Sequence, residues 1–209
     1  MYVKLLTIQN VVEKGNIVRH YPGDWVDVGN QTARMWLDEG SAWVPEDMVE
    51  PIEFGIVVRN GDPDGVKEGL PHNAKTNLVG VMEGDLEMPW EYTILYDPCL
   101  SIQRDWQILG GVRLLQDWQT AIPILSYTKL ACEFGAEDDR TLTKEVIGDL
   151  RVMVYDSRLI YLRRSSDTER LLDTWRSELE RGEDENLALL RALYQTVPLL
   201  LALPEDWVG

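Results

Sequence analysis

Cysteine and histidine are both scarce, with two of each in 209 residues. Cys99 and Cys132 form no close pair and show no metal spacing, which argues against a disulfide framework or a cysteine-based metal motif. Both lie in apolar company, so they read as buried free thiols in a reducing compartment. His20 and His72 are far apart, and neither has a partner at ligand spacing, so each reads as a structural or loop residue. Basic residues are few: 20 Lys and Arg stand against 36 Asp and Glu, for a net charge of −16. A surface this acidic repels nucleic acid and anionic membrane. Arg163-Arg164 is the nearest approach to a basic run, and ion pairing accounts for it. The longest apolar run, VPLLLALP, is far too short to span a bilayer. The opening MYVKLLTIQNVVEKG lacks a basic region followed by a long apolar core, so no signal peptide is expected. There is no internal repeat and no low-complexity tract. Together these absences predict a cytoplasmic protein, or one carried by something assembled inside a cell, with no nucleic-acid and no membrane partner.

What is present is ordinary for a globular chain: 44% hydrophobic and 27% charged residues, enough for one medium domain or a module plus a domain. Residues 1–50 read as a compact β-rich module. VKLLTI is a strand, NIVRHYPGDWVDV a strand pair bent at Pro22-Gly23, and SAWVP a closing strand. TARMWLDEG between them is a short helix, with Thr32 as N-cap, Met35 and Trp36 facing inward and Gly40 as the stop. The order KLLTI, PGDWVDV, TARMWLDEG, AWV resembles a small module found in bacteriophage proteins, which implies a virion part or a phage-borne gene. Its helix is too short and too acidic at its end to read as a DNA-recognition helix.

An acidic, Pro-bearing linker at EDMVEPIEFG introduces the second region, residues 51–209. FGIVV is a buried strand, RNGDPDGVKEGLPHN a loop, AKTNLVGVM a short helix and YTILYD a strand ending in Asp97. Trp106 to Phe134 carries a helical pattern broken near Pro123. EDDRTLTKEVIGDL is a polar helix or excursion, and RVMVYDSRLIYLRR a bent strand or strand pair around Asp156-Ser157. SSDTERLLDTWRSELERG is the clearest helix, capped by Ser165 or Ser166, with Leu171, Leu172, Trp175 and Leu179 on one face. DENLALLRALYQT is a second amphipathic helix, and VPLLLALPEDWVG an extended tail. The expected class is α/β, a mostly parallel sheet with flanking helices.

Six blocks in this region fall in a telling order: Lys75-Thr76-Asn77-Leu78, Thr93 to Asp97, Tyr155 to Arg163, Leu171 to Trp175, Asp184-Glu185-Asn186, and Leu203-Pro204 with Trp207. The series resembles the carboxyl two-thirds of GT-A type nucleotide-diphospho-sugar glycosyltransferases. The resemblance implies a metal-assisted sugar transfer from a nucleotide donor. In it Asp97 would hold Mn²⁺ or Mg²⁺ and, with Lys75, the nucleotide diphosphate. Asp156, Asp184 and Glu185 would be the candidates for acid, base or acceptor contacts. Three departures stand out. The family's Asp-x-Asp reads Asp97-Pro98-Cys99, its small residues beside the acceptor read Asp156-Ser157-Arg158, and little chain precedes Lys75 to form the base and ribose pocket.

Each candidate also has a plainer role. Asp97 can cap the turn before Pro98, and Lys75 can be a solvated helix residue. Asp184 and Glu185 can complement a helix dipole. Asp62 and Asp64 resemble a calcium-loop fragment but fit a Gly/Asp turn. Trp90, Trp106, Trp118, Trp175 and Trp207 could stack on sugars or simply anchor the core. Two functions follow: a glycosyltransferase-like enzyme with a nucleotide-sugar substrate, or a non-catalytic, phage-derived structural protein on the same scaffold, with homo-oligomer or virion-assembly contacts.

Overall fold

Phe54–Val58 (β6) is buried along its whole length, as expected of a strand covered on both faces. In this computed structural model, which describes residues 2–13, 16–43, 52–70, 72–100 and 106–208, β6 lies inside a six-stranded sheet. The other strands are Leu78–Glu83 (β7), Tyr92–Tyr96 (β8), Thr120–Pro123 (β9), Leu159–Arg163 (β10) and Leu200–Leu203 (β11), in the order β11-β9-β10-β8-β6-β7. Five of the six run the same way; β10 alone is reversed, antiparallel to both its neighbours.

Alternate residues supply two cores. Phe54, Ile56, Ile94, Leu159 and Tyr161 pack on one face, against Pro63–Gly69 (α2), His72–Asn77 (α3), a π-turn at Trp106–Gly110 and the short helix Gly111–Leu114 (α4). Val57, Leu95, Ile122, Ile160 and Leu162 pack on the other, against Ser166–Leu179 (α6) and Glu185–Thr196 (α7). Full burial of a side chain such as Phe54 contributes roughly 1.5–3 kcal/mol. Glu137–Ile147 (α5) packs outside α7. The mixed α/β expectation therefore holds in its coarse form: a mostly parallel sheet between helical layers.

Helix α6 is capped as its sequence predicts: the Ser165 hydroxyl accepts from Thr168 N at 3.2 Å. Leu171, Leu172 and Trp175 are buried on its inner face. Asp184 caps α7, accepting from Leu187 N at 2.9 Å.

Several expectations are corrected. Trp106 to Phe134 is not a broken helix. It is the π-turn, one turn of α4 and then β9, because TAIP finds strand partners on both sides and tertiary pairing decides a short apolar run. AKTNLVGVM is helix only as far as Asn77. From Leu78 it is β7, and Gly80 lets the Trp90 indole lie close over the strand, where an added Cβ would come within 2.8 Å. The terminal segment is extended as expected over Leu200–Leu203, and it is joined to the sheet, since β11 pairs in parallel with β9. Cys99 and Cys132 are exposed rather than buried.

The first forty-odd residues build a separate three-stranded sheet, Trp25–Asp27 (β4), Tyr2–Leu5 (β1) and Ala42–Trp43 (β5), in the order β4-β1-β5. A two-stranded ribbon joins Gln9–Glu13 (β2) to Asn16–His20 (β3). The Pro22-Gly23 turn is present, with Gly23 at φ +99°. Helix Asn30–Asp38 (α1) starts three residues earlier than a Thr32 cap would place it, with Gly29 as N-cap and no side-chain bond there. Trp36 is buried as expected, but Met35 is 51% exposed. Most of the expected linker lies outside the described residues. Among the described residues, no helix is long and apolar enough to cross a membrane.

Candidate functional site

Parallel strands deliver their carboxyl ends to one edge of the sheet, where α/β proteins commonly bind ligands. Four of the five candidate residues meet there. Asp97 follows β8 directly. Asp156 arrives at the same edge because β10 is reversed, so its start rather than its end lies beside Asp97: Asp97 N donates to Arg158 O at 2.8 Å. Asp184 and Glu185 arrive with the amino end of α7, and Asn186 Oδ1 accepts from Ser157 N at 2.9 Å. Lys75 does not join them. It precedes β7 and so sits at the opposite edge, exposed, with Nζ donating to Glu68 O at 2.8 Å.

The acids at the edge are engaged within the protein. Asp156 is 1% exposed. Its Oδ1 accepts from Arg158 N at 3.0 Å and Nε at 2.8 Å, and its Oδ2 from Arg158 Nη2 at 2.7 Å. This fork holds the Arg158 guanidinium protonated well beyond its ordinary range, against the opposing effect of burial. The carboxylate of Asp184 is the cap of α7.

Asp97 accepts from Cys99 N at 2.9 Å. Burial pushes its carboxyl up, but hydrogen bonds from the Cys99 backbone and thiol and from the Asn60 side chain, with the Arg59 charge, together hold it below the usual aspartate value. The same neighbourhood acts oppositely on the Cys99 thiol. Burial and the Asp97 carboxylate raise it against the pull of Arg158, so the thiol stays protonated near neutrality.

At the centre of the edge stands Arg59, which no local pattern marked. It follows the apolar β6 and is 3% exposed. Its Nε donates to Asp85 Oδ1 at 3.2 Å, its Nη1 to Ser157 O at 3.1 Å and its Nη2 to Glu185 Oε2 at 3.1 Å. Its guanidinium carbon stands 5.0 Å from the centroid of the Trp175 ring, within cation–π range. One cation thus ties β6, the loop after β7, the turn before β10 and the start of α7. The only hint in the sequence is position: a charge placed directly after a fully apolar strand. Asp85 was likewise unmarked.

A hard divalent cation wants several oxygen ligands. Among the described residues, no three of His, Cys, Asp and Glu come together as a metal cage. At the strand end, Asp97 has a thiol for a neighbour where a second carboxylate would serve. Among the described residues, the donors at this strand end are the Asp97 carboxylate and the Cys99 thiol, so a Mn²⁺ or Mg²⁺ there would draw most of its oxygen ligands from water or a bound diphosphate. Asp62, a further carboxylate near this edge, caps α2 by accepting from Asp64 N and Gly65 N.

His20 lies 3.6 Å from Asp24, far from the site in sequence, and the His72 side chain falls outside the described residues. Trp175 is fully buried, while Trp90, Trp118 and Trp207 are half-buried anchors; the Trp106 side chain is outside the described residues. Arg164 pairs with Glu169 at 3.2 Å, and Arg163 donates to Gln116 O at 2.9 Å.

No protein-family model matches the chain, and no curated protein matches it either.

Proposed function

We propose that this is a glycosyltransferase-like protein that has kept an α/β scaffold and given up catalysis, serving as a structural or interaction protein. The observation that carries the proposal is the engagement of its edge carboxylates. Asp156 is forked by Arg158, Glu185 and Asp85 are held by Arg59, and Asp184 caps a helix. A working diphosphate and metal site needs oxygen ligands facing outward, and here the protein's own guanidinium groups occupy most of them. The phage-like reading of the first fifty residues supports a role in assembly, with that module as the point of attachment.

Calorimetry with UDP and with GDP, each with and without Mn²⁺, tests this directly. The expected result is no saturable heat with either nucleotide, alongside self-association or assembly contacts in light scattering. Micromolar, Mn²⁺-dependent nucleotide binding by a strict monomer would overturn it.

A second reading, an active metal-dependent transferase, is favoured by one observation: Asp97, Asp156, Asp184 and Glu185, picked out by order along the chain, lie at one edge of the sheet. In that reading Asp97 is the residue facing metal and diphosphate. Release of free sugar or its transfer from a UDP- or GDP-sugar, lost in Asp97→Asn, would establish it.

A further inference from the structure

Strand β11 closes one side of the six-stranded sheet, and among the described residues no strand pairs with its outer edge. Thr120 N donates to Leu199 O at 3.2 Å and Ile124 N to Leu203 O at 2.9 Å, which fixes the phase of the ladder to β9. Alternate residues bond the neighbour in such a ladder, so Leu200 and Ala202 turn their backbone N–H and C=O groups away from the sheet.

Edge strands are commonly guarded by charge. Here thirteen residues in succession, Ala192 to Pro204, carry none, in a chain with 27% charged residues. Tyr194, Val197 and Leu199 in this stretch are exposed. Val197 caps α7 at φ +48°, a left-handed conformation that is costly for a β-branched residue. Its side chain is 79% exposed, so burial within the chain returns little of that cost. Pro198 and Pro204 bound the strand and confine any added ladder to the residues between them.

An open strand edge takes another strand, and the charges at the ends of β11 select which one. Arg170 reaches the amino end, donating to Thr196 O at 3.0 Å while it also holds Asp167 at 3.3 Å. Glu205 follows the carboxyl end, accepting from Tyr127 N at 2.6 Å. We propose that β11 pairs antiparallel with β11 of a second copy of this chain, about a two-fold axis through Leu201. Leu200 of each copy then exchanges both backbone bonds with Ala202 of the other. The Arg170 end of each strand meets the Glu205 end of the other, whereas a parallel arrangement would set like charges together. Val197 and Tyr194 supply an apolar rim. This face belongs neither to the strand-end acids nor to the first fifty residues. A monomeric chain would therefore remove the dimer and leave the interaction role proposed above, and nucleotide binding would do the reverse.

Sedimentation velocity on the whole chain tests this. A ladder this short makes a weak interface, so a dimer with a Kd on the order of 10 µM is expected. Ala202→Pro removes an N–H that faces solvent in the monomer, where an edge strand tolerates proline, and should weaken the dimer at least tenfold. Arg170→Glu should weaken it severalfold, and adding Glu205→Arg to that variant should restore it, a readout that stands even if the proline variant folds poorly. A wild type still monomeric at about 100 µM would leave the edge to a different chain and overturn the proposal. So would undiminished dimerisation of a folded Ala202→Pro, or a charge swap that restores nothing.

Discussion

Two buried arginines, Arg191 and Arg59, use the same chemistry in opposite settings. Arg191 is completely buried on α7 and sits in a closed polar cluster. Its Nε donates to Glu178 Oε2 at 2.6 Å, its Nη1 to Thr143 Oγ1 at 3.0 Å and its Nη2 to Glu178 O at 3.1 Å. Glu178 is itself buried and also accepts from Arg181 and Gln195. Asp139 lies 3.9 Å from Arg191 and binds Glu183 N, so α5, α6 and α7 are joined. Arg59 is nearly as buried, but its acids are not: the Asp85 side chain is 66% exposed and that of Glu185 43%. Where both partners are sealed, the pair is a joint between helices. Where the partners reach solvent, the pair contributes less to stability, because water already competes with the cation for each carboxylate.

The sharpest way to break this contrast is Arg191→Met. Removing the cation leaves the buried Glu178 Oε2 without its partner while Arg181 and Gln195 still hold Oε1, and the expected loss is about 3 kcal/mol in urea unfolding. Arg59→Met should cost less, about 1–2 kcal/mol, from the lost bond to Ser157 O and the lost Trp175 contact, since Asp85 and Glu185 stay hydrated. Equal losses for the two variants would erase the distinction.

Acid titration comes next. Burial pushes the Glu178 carboxyl up, but bonds from Gln195 and Arg191 and the charges of Arg181 and Arg191 outweigh it, leaving the group below its ordinary value. A carboxyl depressed by folding contributes stability that is complete above its unfolded value, about 4.3, and is lost as pH falls through the folded one. The wild-type advantage over Glu178→Gln should therefore be constant from pH 7 to about pH 5 and shrink below that. A gap that widens on acidification would contradict the sign. The smallest effect belongs to Glu185→Gln. A half-exposed ion pair contributes about 0–1 kcal/mol, so its melting curve should nearly overlay the wild type.

How much of this was legible depends on where each signal resides. Helices α6 and α7 carried caps and amphipathic faces within their own sequences, and β6 and β8 carried unbroken apolar runs ending at turn residues. The convergence of Asp97, Asp156, Asp184 and Glu185 was legible as order along the chain. Strands β7, β9 and β11 were not. Each is four to six residues long, and an apolar run of that length is identified by its neighbour, which lies far away in sequence. Arg59 was hidden for the same reason: its partners at positions 85, 157 and 185 come together only in the folded sheet. The cysteines misled because apolar neighbours in sequence do not ensure apolar neighbours in space.

The reversal of β10 also sets the parity of everything after it. A chain leaving one of the five parallel strands must cross back to the starting side before the next one. A chain leaving β10 is already on that side, so whatever precedes β11 must leave and return. The pair α6 and α7 does this, one helix in each direction. The backward strand thereby turns the amino end of α7, with Asp184, Glu185 and Asn186, towards Asp97.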